Sequence, residues 1–205
     1  MNEWYEALKG FTDLPLAVLS LVFALLLRKK GVKNGWPTLF ALVAGAAALG
    51  AVVHGIALTP FWSTVVWVVL HPLLFESVRR FGLIFATYVD KKDRRSHPVV
   101  FAVEAGCYLL CLVLLVTVPP NDIYPFAAFA VLIFIQTVVA MSKAPSFPKR
   151  AAWFLVILAV PLLLQIGETV IPYAVAIEHL FLALDLYLAY RMALTWKTEE
   201  KSTVD

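Results

Sequence analysis

The stretch TDLPLAVLSLVFALLLRKK, residues 12–30, decides the class of this protein. A single serine interrupts its apolar run, and three basic residues close it. About 17–25 mostly apolar residues are enough for an α-helix to cross a membrane. A membrane-spanning β-strand would alternate polar and apolar residues, and this run does not alternate. The stretch therefore predicts a membrane-spanning helix that is retained in the folded protein.

The same pattern recurs along the chain. Of its 205 residues, 61% are hydrophobic and 15% are charged, and the mean hydropathy is +0.84. A soluble domain of this size could not cover so much apolar surface. Turn-forming sequences separate seven apolar segments: 13–28, 37–58, 61–86, 98–118, 122–141, 151–169 and 172–195. We therefore predict an all-α integral membrane protein in which residues 1–205 form one seven-helix domain.

Local signals mark where these helices begin. Pro37, Pro60, Pro98 and Pro172 suit the first turn of a helix, where a missing N–H costs little. Residues 12–13, Thr-Asp, are predicted to cap the first helix. Tryptophans and tyrosines near the predicted helix ends, Trp36 and Trp62 among them, are predicted to form an aromatic belt at the membrane surfaces.

The basic residues predict the orientation. All of them except Lys9 fall on one side of the predicted bundle, in the connections after the first, third and fifth segments and in the C-terminal tail. Lys and Arg in short loops stay in the cytoplasm. We therefore predict an N-terminus outside and a C-terminus in the cytoplasm, with membrane lipids as partners. The net charge of +3 is then a signal of topology and does not indicate nucleic-acid binding, because no binding motif accompanies it.

Ionisable residues inside a membrane bundle are functional candidates, because exposing one to lipid is costly. Counting along the predicted helices places His54 and His179 at a similar depth in the outer third. Glu178, Glu168 and Asp13 are predicted near that level. Two imidazoles with a carboxylate and water would suit a zinc ion with an open position. The alternatives are hydrogen bonds between helices without any metal, and haem held by two histidines.

A second predicted set lies deeper in the bundle. It contains His71 and Glu76 on the third segment and Asp185 on the seventh. Glu76 and Arg80 are four residues apart and can pair along a helix. Asp185 follows Glu178 by seven residues, so both share a helix face. This set predicts either a satisfied ion-pair network or a path for protons or ions.

Three stretches carry a resemblance to a known superfamily: residues 12–30, GAAALGAVVHGI at 45–56, and EHLFLALDLYLAYR at 178–191. With seven helices they resemble the CREST superfamily of alkaline ceramidases and progestin and adiponectin receptors. The chain looks closest to a group of uncharacterised bacterial seven-helix proteins in that superfamily. The resemblance implies a bacterial or archaeal cytoplasmic membrane and a zinc-dependent hydrolase of lipid amides or esters.

The superfamily pattern maps onto this chain only in part. His54 matches its histidine on the second helix, and His179 matches the first histidine on the seventh. Gly50 stands at the position of a family serine, and Ala183 at that of the second histidine on the seventh helix. The family's aspartate on the third helix has no counterpart here, although His71 or Glu76 could replace it. The family metal also lies nearer the cytoplasm than the depth predicted for His54 and His179.

Three functions remain open from the sequence. The first is a metal-dependent intramembrane hydrolase in which His54 and His179 are ligands, while Glu178 or Glu168 is a third ligand or the general base. The second is a receptor-like protein that binds a lipid or small amphiphile without turnover, which Gly50 and Ala183 favour. The third is a transporter or proton-coupled carrier, for which broken helices and repeats would be expected.

Overall fold

The structure is a computed structural model, and its secondary structure is helical. It describes residues 3–33, 35–56, 58–89, 105–106, 109, 113, 132–135, 138, 150–166 and 173–202. Five helices have both of their ends in these ranges: α1 (Glu3–Lys29), α2 (Trp36–Gly55), α3 (Pro60–Val89), α4 (Arg150–Ile166) and α5 (Ala174–Ser202). They correspond to the first, second, third, sixth and seventh predicted segments. The described residues of the fourth and fifth segments are helical as well.

Prolines begin two of the helices as predicted. Pro37 lies in the first turn of α2, and α3 begins at Pro60. Gly35, just before α2, has a φ of 80°, which glycine adopts without steric cost. The predicted cap at residues 12–13 is wrong, because α1 begins at Glu3. The Thr12 hydroxyl instead donates to the carbonyl oxygens of Leu8 and Lys9 inside the helix.

Within the described residues, three helices are long and apolar enough to cross a membrane. The apolar spans are Leu8–Lys29 in α1, Trp36–Gly55 in α2 and Pro60–Ile84 in α3. Large apolar side chains line the exposed face of α1: Phe11, Leu14, Val18, Leu21, Val22 and Leu25. An apolar face of this kind suits contact with lipid tails rather than water.

Contacts between side chains and between glycines of neighbouring helices show which helices are parallel and which are antiparallel. Gly10 meets Gly55 and Phe23 meets Phe40, so α1 and α2 are antiparallel. His54 meets Trp67 and Trp36 meets Phe81, so α2 and α3 are antiparallel. Asp13 meets His179 and Phe23 meets Tyr190, so α1 and α5 are parallel. α4 packs against α5. The bundle thus has a His179 end, which holds Asp13 and His54, and an opposite Arg28 end.

The apolar core of the described residues lies towards the Arg28 end. Phe23 stacks on Tyr190 with ring centroids 4.5 Å apart, and Phe81 stacks on Phe154 at 5.4 Å. Trp36 is fully buried among these rings. The prediction that places Trp36 in a surface belt is therefore wrong, whereas Trp62 is exposed as that prediction requires. Two charged side chains, Lys9 of α1 and Glu178 of α5, are buried at the other end.

Candidate functional site

A contact between Asp13 and His179 joins α1 to α5. Oδ1 of Asp13 lies 2.9 Å from Nε2 of His179, and both side chains are largely buried, at 14% and 13% exposed. An ionised carboxylate can only accept a hydrogen bond, so Nε2–H donates to Oδ1. The sequence places both residues in one pocket but favours His54 as the partner of His179. The described bond of Nε2 instead goes to Asp13.

Gly50 on α2 makes room for the Asp13 carboxylate. A Cβ on Gly50 would lie 2.8 Å from Oδ2 and 3.2 Å from Cγ of Asp13, closer than side-chain carbons normally approach. The carboxylate therefore occupies the space into which any side chain at position 50 would extend. Through this contact α2 packs against Asp13, in addition to α5. Glycine suits this position because it has no side chain to displace the carboxylate.

Two more charged side chains are buried at the same end. Lys9 is 8% exposed and Glu178 is 6% exposed. Lys9 precedes Asp13 by four residues, so the two lie on one face of α1, and Glu178 directly precedes His179 in α5. We call Lys9, Asp13, Glu178 and His179 the Asp13 cluster. It combines a cation, two carboxylates and an imidazole within a largely apolar bundle.

Lys9 is the member of the cluster that the sequence prediction misses. The distribution of basic residues treats it as an exception on the external side, with no further role. A signal was nevertheless present in the chain, because Lys9 falls one helical turn before Asp13 on the same face. A helix that begins at Glu3 extends that face beyond the predicted start at residue 13.

His54 lies one turn beyond Gly50 on α2. Its ring meets Trp67 of α3 edge to face, with centroids 5.8 Å apart and planes at 80°, and its side chain is partly exposed. Of the other predicted site residues, Glu168 lies outside the described residues. Across the part of the chain that the structure describes, no three His, Cys, Asp or Glu side chains are grouped so that they could hold a metal ion.

Asp185, His71 and Ser20 are buried deeper between the helices. Asp185 is 4% exposed, and the other two are fully buried. Nδ1 of His71 lies 2.8 Å from the carbonyl oxygen of Trp67, to which Nδ1–H donates. Among the described residues, no hydrogen-bond partner reaches Nε2 of His71, Oγ of Ser20 or either carboxylate oxygen of Asp185. Buried polar atoms are normally satisfied, so these three residues are candidate points of ligand contact.

The carboxylate of Glu76, in contrast, is paired with two arginines of its own helix. Its Oε2 accepts from Nε of Arg79 at 2.6 Å, and its Oε1 accepts from Arg79 at 2.7 Å and from Nε of Arg80 at 2.6 Å. The predicted pairing of Glu76 with Arg80 is confirmed, and Arg79 is a second partner on the same helix. Two guanidinium groups therefore occupy both oxygens of this carboxylate, which makes Glu76 a poor candidate for binding a ligand.

Comparison with known proteins identifies a family. No curated protein and no solved structure matches the chain. One family model, described as a family of unknown function (DUF6962), matches residues 8–198. That match spans α1 through most of α5 and includes the Asp13 cluster, Gly50, His54 and Asp185. The chain therefore belongs to the family of unknown function DUF6962.

Proposed function

We propose that this chain is a seven-helix membrane protein that binds the polar head of a lipid or small amphiphile in the Asp13 cluster. In this proposal the N-terminus is outside and the C-terminus is cytoplasmic. Three membrane-length helices support the membrane location. The orientation is supported by three exposed basic residues at and just after the C-terminal end of α1, Lys29, Lys30 and Lys33.

The Asp13–His179 contact is the observation that carries this proposal. It holds a carboxylate and an imidazole at the junction of α1, α2 and α5. The side chains of Lys9 and Glu178 are buried at the same end of the bundle. Such a site offers both donors and acceptors, which a zwitterionic or hydroxylated head group requires. The apolar faces of the surrounding helices suit the tail of the same molecule. Binding sites of this kind are mostly apolar with a few placed polar groups.

The test is native mass spectrometry of the full chain purified in lipid nanodiscs. We expect a bound lipid or amphiphile that survives purification and is lost in Asp13→Asn and in His179→Ala. Thr64→Ala is the matched control, because Thr64 is exposed and the described bond of its hydroxyl, to the Pro60 carbonyl oxygen, lies within α3. A wild-type protein without bound amphiphile, or one whose amphiphile is retained by both cluster variants, would overturn the proposal.

Metal-assisted hydrolysis is a second candidate function. One observation favours it: Asp13 and His179 bring a carboxylate oxygen and an imidazole nitrogen, two donor types that zinc takes, within 2.9 Å. A bound zinc would supply an activated water for cleaving an amide or ester. The described donors do not complete a site, so a further ligand such as Glu168 would have to come from elsewhere in the chain.

The substitution His54→Ala distinguishes the two candidate functions. If His54 and His179 are metal ligands, His54→Ala lowers the zinc content of the purified protein as strongly as His179→Ala does. If the cluster binds an amphiphile without metal, His54→Ala leaves the bound amphiphile in place, and His179→Ala removes it. Metal analysis and native mass spectrometry on the same preparations read both outcomes.

A further inference from the structure

Asp185 lies deep in the bundle, between two contacts that set the alignment of α1 and α5. The Asp13–His179 contact lies on one side of it and the Phe23–Tyr190 stack on the other. At about 1.5 Å per residue, Asp185 is roughly 9 Å from the level of His179 along the helix axis. It shares a helix face with Glu178, seven residues earlier. The carboxyl group is therefore inside the packed bundle and aligned with a member of the Asp13 cluster.

An ionised carboxylate in such a place is costly unless donors or a cation compensate it. Asp185 is 4% exposed, and neither of its oxygens meets a donor within the described part of the chain. Glu76 shows the alternative, since guanidinium groups reach both of its oxygens. A bound proton removes the charge of Asp185 without any new partner from the protein.

We propose that Asp185 is a proton-binding site, at which the carboxylate takes a proton from water at the His179 end and later returns it. Binding forms one O–H bond on a carboxyl oxygen while one O–H bond of a hydronium ion breaks and leaves water, and release reverses both changes. The shared face with Glu178 gives the side from which protons reach Asp185. This inference is independent of the amphiphile site, because its evidence is the burial and the unsatisfied oxygens of Asp185.

Charged or titratable residues lie on α5 on either side of Asp185 and on α1, which packs beside it. On α5 itself they include Glu178 and His179 towards one end and Arg191 towards the other. α1, which packs on α5, contributes Lys9 and Asp13 towards the His179 end and Arg28 and Lys29 towards the opposite end. α4 also packs on α5, and its described side chains carry no titratable group. The remaining buried polar side chains among the described residues, Ser20, His71 and Ser77, lie on α1 and α3.

Infrared spectroscopy of the full chain in nanodiscs tests the proposal directly. A protonated carboxylic acid has a carbonyl stretch that an ionised carboxylate lacks. We expect this band in the wild type, its loss in Asp185→Asn, and its downward shift in deuterated water. It should also disappear reversibly as the pH is raised. Glu76→Gln is the matched control, because Glu76 is paired with Arg79 and Arg80 and contributes no acid band.

A second measurement needs no variant. N,N′-dicyclohexylcarbodiimide reacts with protonated carboxyl groups in apolar surroundings: the acid oxygen bonds to the central carbon, and the proton goes to nitrogen. We expect mass spectrometry to find the adduct on Asp185 and not on Glu76, at a yield that falls as the pH rises. An acid band that persists in Asp185→Asn, or an unmodified Asp185, would overturn the proposal. So would an Asp185 that stays ionised at every pH at which the protein remains folded.

Discussion

The carboxylate of Asp13 lies directly over Gly50, where a Cβ would come within 2.8 Å of Oδ2. The same carboxylate meets His179 through its other oxygen. A contact with α2 and a hydrogen bond to α5 therefore depend on one side chain of α1. A substitution at Gly50 should consequently weaken the hydrogen bond of His179 to Asp13, although Gly50 and His179 are on different helices.

Gly50→Ser should displace Asp13 and weaken its contact with His179. Overpacking of this kind typically costs about 1–3 kcal/mol, so we expect a lower thermal unfolding temperature in detergent. Gly45→Ala is the control, because a Cβ there meets only a methyl group of Leu73 at 3.3 Å, which can move. If Gly50→Ser were no more destabilising than Gly45→Ala, the position of Asp13 over Gly50 would be contradicted.

The two glycines where α1 crosses α2 should differ in sensitivity. A Cβ on Gly10 would lie 2.4 Å from backbone atoms of Gly55, whereas a Cβ on Gly55 would lie 3.5 Å from Gly10. Gly10→Ala must therefore push the helices apart, and Gly55→Ala need not. We expect Gly10→Ala to cost about 1–3 kcal/mol in the free energy of unfolding and Gly55→Ala clearly less. Equal losses in denaturant titrations would show that the helices cross elsewhere.

Asp13 and His179 should be coupled energetically. Side-chain hydrogen bonds between membrane helices have coupling energies of about 0.6 kcal/mol on average, with a maximum near 1.7 kcal/mol. We expect a value in this range from a double-mutant cycle of Asp13→Ala and His179→Ala, measured by unfolding in detergent. Asp13→Ala combined with Thr64→Ala should be additive, because the described bond of the Thr64 hydroxyl goes to the Pro60 carbonyl oxygen of its own helix. Additivity of the first pair would contradict the contact.

Arg79 should be less replaceable than Arg80. Arg79 uses two nitrogens to reach both oxygens of Glu76, whereas the described bond of Arg80 uses only Nε. Lysine cannot reproduce a two-point contact of this kind. Arg79→Lys should therefore lose about 1 kcal/mol more stability than Arg80→Lys, one hydrogen bond being worth about that much. The comparison is a pair of thermal unfolding curves, and the reverse order would contradict the arrangement.

The sequence predicts the helices better than it predicts the candidate site. The apolar segments predict α1–α5 because backbone groups in lipid must be satisfied within the segment itself, which makes the helix the local solution. Helix ends are less certain, as the wrong cap at residues 12–13 shows. The sequence prediction misses Lys9 because the helix is predicted to start at residue 13. The face shared by Lys9 and Asp13 is weaker evidence for an earlier start than an apolar run would be.

The sequence by itself determined which segments are apolar helices, where the basic residues lie, and that His179, Glu178 and Asp185 share one helix. Helix periodicity also determined that Glu76 can reach Arg80, because that contact is local. Only the tertiary structure decided that Asp13 pairs with His179, 166 residues away, and that Gly50 leaves room for it. The rotation of each helix about its axis and the depth at which it crosses its neighbour decide such pairs. Both depend on packing between α1, α2 and α5, which no single segment contains.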